Sequence, residues 1–508
     1  MERDIINFLP KYPNIKKLKG EVFNPYEEDF YQVIYKKKEF YDERLEETED
    51  FPKNVGTLMK HQKLIARFFG SHTLYDELML VHEMGTGKTC SAIGAIEQIR
   101  GEGGFRGALY LAKGDALINN FINELVFKCT DGRYIPENYD ELTELEKVHR
   151  TKKVIREYYK LNTFETFAKE IRRTTDTELQ KKYNNHIIIV DEVHNLRIQA
   201  KEKGLNIYKQ FLRFLHIVQN CKILLMSGTP MKDSVDELAS VMNLILPLRG
   251  VNPYLPTGDV FIKEYFDGSD EYYTVKPGKI KDLKELFKGR ISYLKAMQSE
   301  VKKVFEGDHH GDLQHLHVVH DYMSKFQTQS YKEAYKSDRA ERKGVYSQSR
   351  QASLFVYPDG SYGEAGYNNY IQKISKANAV IGDDGKKKKM YNYTIQSELR
   401  NAITKNTDGD HKKMLENIER FSGKYAASIR NILRAQEEGK SVFVYNEFVQ
   451  GSGLILFGAI LELFGFNRAS GKEPTGSQRP RYASLTNLTS TNKQVRGLFK
   501  RFNQPDNM

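Results

Sequence analysis

Four short apolar runs constrain this chain more than any other feature: residues 78–81, 108–112, 186–190 and 222–226. Each is apolar at successive positions, and stretches with helical spacing lie between them. Strands apolar on both faces and separated by helices imply a parallel sheet covered on both sides. Ligands of such sheets gather at the carboxyl ends of the strands. Three of the four runs lead directly into a polar or glycine-rich segment, so the candidate chemistry collects at one edge of the expected sheet.

The first such segment is His82-Glu83-Met84-Gly85-Thr86-Gly87-Lys88-Thr89, followed by Cys90 and a helical stretch over 91–99. A phosphate chain needs close backbone approach, which glycine permits. It needs N–H groups converging on one point, which a helix N-terminus supplies. It also needs a fixed cation, Lys88, and a hydroxyl for Mg²⁺, Thr89. The usual phosphate-loop pattern has glycine where this chain has His82, so Gly85 and Gly87 must make the turn. The second segment is Asp191-Glu192-Val193-His194. A carboxylate at a strand end can hold the water shell of Mg²⁺, and the next one can orient or deprotonate an attacking water. Alone, the same residues would equally suit an acidic helix start. The third segment is Ser227-Gly228-Thr229-Pro230, whose hydroxyls can bond the acidic motif and sense the terminal phosphate. Alone, it would also suit a turn with a helix cap.

The 508 residues allow roughly three domains. They read as an N-terminal extension (1–50), a nucleotide-binding domain (51–248), a polar, α-rich insertion (249–410) and a second, incomplete α/β domain (411–508). In the extension, aromatic residues such as Phe23, Tyr26, Phe30 and Phe40 suit a short segment packed on a larger body. Residues 281–293 read as a helix followed by extended chain. In the last part, 411–438 reads as a helix, 441–445 as a buried strand and 454–464 as an apolar helix. The formal net charge of +11 favours phosphate-rich partners. No run of 18 apolar residues is present, and residues 1–4 start no apolar signal segment. Cys90, Cys129 and Cys221 are odd in number and far apart, which suits a reducing compartment and argues against a disulfide or a zinc site.

The ordered set Leu58…His61-Gln62, His82 to Thr89, Asp191 to His194 and Ser227 to Pro230 resembles the motifs of superfamily 2 helicases. Met84 between Glu83 and Gly85 is similar to the Swi/Snf-like branch, and residues 109–124 resemble its first nucleic-acid motif. Residues 286–293, 322–325 and 444–453 resemble the poxvirus-type nucleoside triphosphate phosphohydrolases and the small subunit of the early transcription factor of large cytoplasmic DNA viruses. The resemblance implies tandem RecA-like domains. It implies ATP bound by Gln62, Glu83, Met84, Gly85, Thr86, Gly87, Lys88, Thr89 and Cys90, and Mg²⁺ held through Thr89 and Asp191. It assigns hydrolysis to Lys88, Asp191 and Glu192, and coupling to Ser227, Gly228 and Thr229. The expected partner is a DNA or RNA backbone, with a viral RNA polymerase or transcription-factor subunit beside it, in the virion and host cytoplasm, and no membrane. The alternatives are an ATP-gated transcription initiation or termination factor that unwinds nothing, and a catalytically weak nucleic-acid-binding fragment. No arginine-rich motif of the second domain follows Ser484. Arg496 and Arg501 lie in a basic helical stretch over 493–502, so the chain reads as stopping short of the motifs that complete a two-domain site.

Overall fold

The computed structural model describes residues 30–44, 57–196, 206–231, 234–269, 272–295, 304, 306–309, 311, 317–341, 346–375, 380–381, 387–388, 391–469, 480–486, 488 and 492–502. The chain divides into two units, Met1–Lys302 and Lys303–Met508.

The first unit is built on a six-stranded sheet. Its strands are β1 (Glu77–His82), β2 (Gly107–Ala112), β3 (Tyr159–Thr163), β4 (His186–Asp191), β5 (Lys222–Ser227) and β6 (Ile291–Leu294). They lie in the order β3-β2-β4-β5-β1-β6, and every neighbouring pair is parallel. All four apolar runs are strands of this sheet. Successive side chains point to opposite faces. Met79, Leu109, Leu111, Ile188, Val190, Ile223 and Leu225 pack on one face against helices that include Phe164–Arg173 and Ile207–Ile217. Leu78, Leu80, Tyr110, Ile187, Ile189, Leu224 and Met226 pack on the other face. That face is covered by α1 (Lys60–Phe68), α2 (Lys88–Glu102) and α3 (Asp115–Phe127). Burial on both faces explains the unbroken apolar runs, since each such side chain contributes roughly 1.5–3 kcal/mol.

Of the six strands of this sheet, β3 escaped the sequence reading, and β6 was read only as extended chain. β3 and β6 form the two edges of the sheet and mix polar with apolar residues, so neither shows the run that marks an inner strand. Residues 281–293 are indeed helical and then extended. They fall in helix Pro277–Phe287 and in β6, which pairs with β1 from Met79↔Ile291 to His82↔Leu294. The first unit therefore continues past residue 248 into the stretch read as an insertion. The short helices Phe30–Lys36 and Lys38–Tyr41 are the packed segment expected of the extension. Phe30 and Phe40 bury against Tyr75, with Phe68 stacked on Tyr75 at 4.2 Å. Phe23 and Tyr26 lie outside the described residues.

The second unit has its own core, which includes Phe355, Tyr357, Leu399, Ile418, Tyr425, Ile429 and Leu456. It is mainly helical among the described residues, and its strands form two-stranded ladders. The helices Leu454–Leu463 and Asn492–Phe502 sit where helical patterning places them, whereas the single helix expected over 411–438 is two, His411–Glu419 and Gly423–Glu437, the second capped by the Ser422 side chain, which accepts from Tyr425 N. Residues 441–445 do not form the expected buried strand. No described strand pairs with them, and Phe443 and Tyr445 are 79% and 80% exposed. An apolar, β-branched and aromatic run favours extended backbone, but a strand exists only where a neighbour takes its N–H and C=O groups.

Candidate active site

β1 ends at His82, and the chain turns through residues 83–87 into α2. Gly85 (φ 87°) and Gly87 (φ 75°) adopt the left-handed backbone that residues with a Cβ seldom take. These two glycines make the turn, so His82 can replace the usual first glycine without disturbing it. The Thr86 hydroxyl donates to Glu83 O at 2.8 Å, and Lys88 Nζ donates to His82 O at 3.0 Å. Ser91 N makes an intrahelical bond to Gly87 O at 3.0 Å. The N–H groups of Lys88, Thr89 and Cys90 precede it and form the anion-seeking first turn of α2. Met84 is 84% exposed at the tip of the loop.

The loop is braced from two sides. On α1, His61 Nε2 lies 2.9 Å from Thr86 O, and Gln62 Nε2 donates to Gly87 O at 3.2 Å. Gln62 Oε1 accepts from Met59 N at 2.9 Å, so both ends of this buried amide are engaged by backbone. A Cβ on Gly87 would lie 2.5 Å from Gln62 Nε2, which gives that glycine a second, packing reason. From β6, Ser292 Oγ lies 2.9 Å from His82 Nε2. Ser292 is a supporting residue the sequence reading missed. The clue was its place in the 286–293 motif, which carried a resemblance but no role.

Burial drives the His82 pKa from 6.5 down to about 4, and the charges of His61 and Lys88 add to the fall. The unfolded chain binds this proton near pH 6.5, and the folded unit binds it only near pH 4. The stability from a neutral His82 is therefore complete above pH 6.5 and is lost as pH falls through about 4. Its size is at most about 3 kcal/mol. Glu77 works in the opposite sense. Burial raises its pKa to about 6 against the pull of Arg290, so its contribution is present below 4.5 and lost as pH rises through about 6. The larger His82 effect should dominate. Between pH 7 and pH 5 the melting temperature of the wild type should fall further than that of His82→Gln. Equal falls, read by calorimetry, would remove His82 from the account.

At the end of β4, Asp191 is 7% exposed and accepts from the Tyr110 hydroxyl at 2.5 Å and from Glu192 N at 2.9 Å. Burial pushes its carboxyl above the usual range. The Tyr110 hydrogen bond opposes this, the Glu192 charge adds to it, and the Lys88 cation lowers it. Glu192 takes a left-handed backbone (φ 50°), a costly conformation for a residue with a Cβ. That turn directs its carboxylate to His194, whose Nδ1 lies 3.3 Å from Glu192 Oε2.

His194 joins the acidic motif to the third segment. Its Nδ1 is 2.9 Å from Ser227 Oγ, which also accepts from Thr229 N at 3.0 Å. Asn195 fixes the tautomer. Lys113 Nζ donates to Asn195 Oδ1 at 2.9 Å, so Asn195 Nδ2 faces Glu192 O at 3.0 Å and His194 Nε2 at 3.1 Å. These contacts make Nε2 an acceptor and leave the ring proton on Nδ1. Gly228 closes the circle, since a Cβ there would lie 3.2 Å from Lys88 Nζ and 3.3 Å from His82 O. The three motifs expected at one sheet edge therefore meet at the ends of the adjacent strands β4, β5 and β1.

The cysteines overturn one expectation. Cys90 and Cys129 are joined by a disulfide with Cα atoms 5.5 Å apart, and Cys221 is free and buried. The bonded pair is 39 residues apart in sequence. α2 and α3 pack side by side on one face of the sheet, and this brings the first turn of one helix to the end of the other. Sequence spacing does not record that neighbourhood.

Residues 32–232 match the family model described as "Type III restriction enzyme, res subunit". The chain is similar to a putative helicase of Invertebrate iridescent virus 3, with 35% identity over 100% of this chain and 47% of the relative. It is similar to a putative helicase of Frog virus 3, with 34% identity over 88% of this chain and 41% of the relative. It is also similar to the nucleoside triphosphatase I of Melanoplus sanguinipes entomopoxvirus, with 22% identity over 86% of this chain and 64% of the relative. The chain thus spans less than half the length of the two viral helicases. No helix among the described residues is long and apolar enough to cross a membrane. The phosphate loop, the acidic motif and the Ser-Gly-Thr segment are assembled on one parallel sheet, and the chain carrying them is similar to part of the helicases and nucleoside triphosphatases named for large DNA viruses.

Proposed function

We propose that this chain is the ATP-hydrolysing part of a nucleic-acid-dependent translocase or helicase. The observation that carries the reading is the close approach of Lys88 to Gly228 and the linkage of Glu192 to Ser227 through His194, with Asp191 held by the Glu192 amide. Lys88 and the first-turn N–H groups of α2 bind the phosphates of ATP. The hydroxyl of Thr89 and the buried carboxylate of Asp191 are the hard oxygen donors that suit Mg²⁺, and Mg²⁺ supplies charge neutralisation at the phosphates. Glu192 orients the attacking water and takes its proton. Neutral His194 carries the state of Glu192 to Ser227, and the backbone bond from Thr229 carries it along the third segment. Gln62 serves the same site by holding Gly87 from behind; adenine recognition by its amide would require it to leave Met59 or Gly87.

The nucleic acid is gripped through its backbone, so sequence preference is weak. The net charge of +11 supports this partner. The resemblance of residues 286–293 and 444–453 to poxvirus-type transcription proteins supports a reading in which the work is viral transcription, beside a viral polymerase or transcription-factor subunit, in the virion and host cytoplasm. The test is ATP hydrolysis with and without single-stranded DNA, duplex DNA and RNA, set beside strand displacement. Stimulation should weaken steeply between about 50 and 200 mM salt, because neutralising phosphates releases counterions. A flat salt response would point to a protein partner instead. Hydrolysis without displacement would favour an ATP-gated transcription factor.

A further inference from the structure

We infer that Cys90 and Cys129 form a reversible thiol–disulfide switch that sets the nucleotide affinity of the phosphate loop. The inference rests on the nucleotide-site reading above. Cys90 follows Thr89 in the first turn of α2, and its own N–H is one of the three that precede the first intrahelical bond. Cys129 lies just beyond α3, where Cys129 N bonds Glu124 O at 2.9 Å. The bond therefore ties the phosphate-binding turn to the end of the helix that follows Lys113. The pairing is specific, because Cys221 sits at the start of β5, at the opposite end of the strands from the site, and its thiol donates to Tyr183 O.

The exchange balances with oxidised glutathione, or another small disulfide, as the oxidant. The half-buried Cys90 thiolate attacks one sulfur, forms a mixed disulfide and releases one glutathione thiolate. The Cys129 thiolate, 6% exposed and already beside it, then attacks the Cys90 sulfur, forms the protein disulfide and releases the second glutathione. Each protein thiol loses one proton, and the two electrons pass to glutathione. Reduction by two equivalents of a thiol runs the same steps backwards.

With the bond made, the first turn of α2 is held in its anion-binding shape before a nucleotide arrives. With the bond open, that order must be supplied on binding. Preorganisation of this kind favours the oxidised form by about three- to tenfold in affinity. The experiment equilibrates the 508-residue chain in oxidised or reduced glutathione. Alkylated thiols are counted by mass, and the affinity for a fluorescent ADP with Mg²⁺ is measured. One free thiol is expected after oxidation and three after reduction, with tighter ADP binding in the oxidised form. Cys129→Ser should bind like the reduced wild type in reduced glutathione and, with Cys90 able to hold only a mixed disulfide, should show no tighter ADP binding in oxidised glutathione. Equal affinities in the two states, tighter binding in the reduced state, or three free thiols after oxidation would overturn the switch alone. Stoichiometric zinc on the reduced protein would replace it with a metal site of Cys90, Glu124 and Cys129, whose ligand atoms lie within 4.8 Å of one another. Absence of ADP binding in both states would overturn the nucleotide site itself, and the switch with it.

Discussion

Lys88→Ala should reduce ATP hydrolysis by about a hundredfold or more, the scale on which enzymes lose rate when one charge-stabilising group is removed. In the structure Lys88 Nζ is parked on His82 O, 3.2 Å from where a Cβ of Gly228 would stand. In the proposed function it is the cation that neutralises the phosphates of ATP. Its removal also leaves Asp191 without the positive charge that lowers its pKa, so ATP affinity should fall together with the rate. The fold should survive, since the lysine is only half-buried and the sheet beneath it packs without it. Steady-state hydrolysis beside circular dichroism decides the matter. A folded variant that retains more than about a tenth of the wild-type rate would remove the phosphate-loop assignment.

Glu192→Gln should leave ATP bound and unhydrolysed. Glutamine keeps the shape of the side chain but cannot take a proton from water, and general-base catalysis of this kind is usually worth about 10²–10⁴ in rate. The backbone of Glu192 already carries the left-handed turn, and its amide already bonds Asp191 Oδ1, so neither the turn nor the metal carboxylate is disturbed. Fluorescent ATP binding and single-turnover hydrolysis separate the outcomes. If binding is lost while the fold persists, Glu192 serves the metal, and the division of labour with Asp191 is wrong.

The sequence by itself determined the inner sheet and the edge at which its motifs gather. An inner parallel strand buries both faces, so β1, β2, β4 and β5 appear as unbroken apolar runs, and Gly85, Gly87, Lys88, Asp191 and Ser227 follow at the strand ends. Of the edge strands, β3 was not legible and β6 was legible only as extended chain, because one neighbour and partial burial leave no such run. Nor could the sequence place Ser292 on His82, 210 residues away, or spend the Gln62 amide on Met59 and Gly87. Extended propensity over 441–445 could be read from side chains, but whether a strand forms there depends on a neighbour's backbone. Only the tertiary structure decided that Cys90 meets Cys129, because the register of α2 against α3 is fixed by their shared packing on the sheet. Local patterns record burial and turn chemistry. Contacts between distant segments depend on how whole elements stack, and no local pattern carries that information.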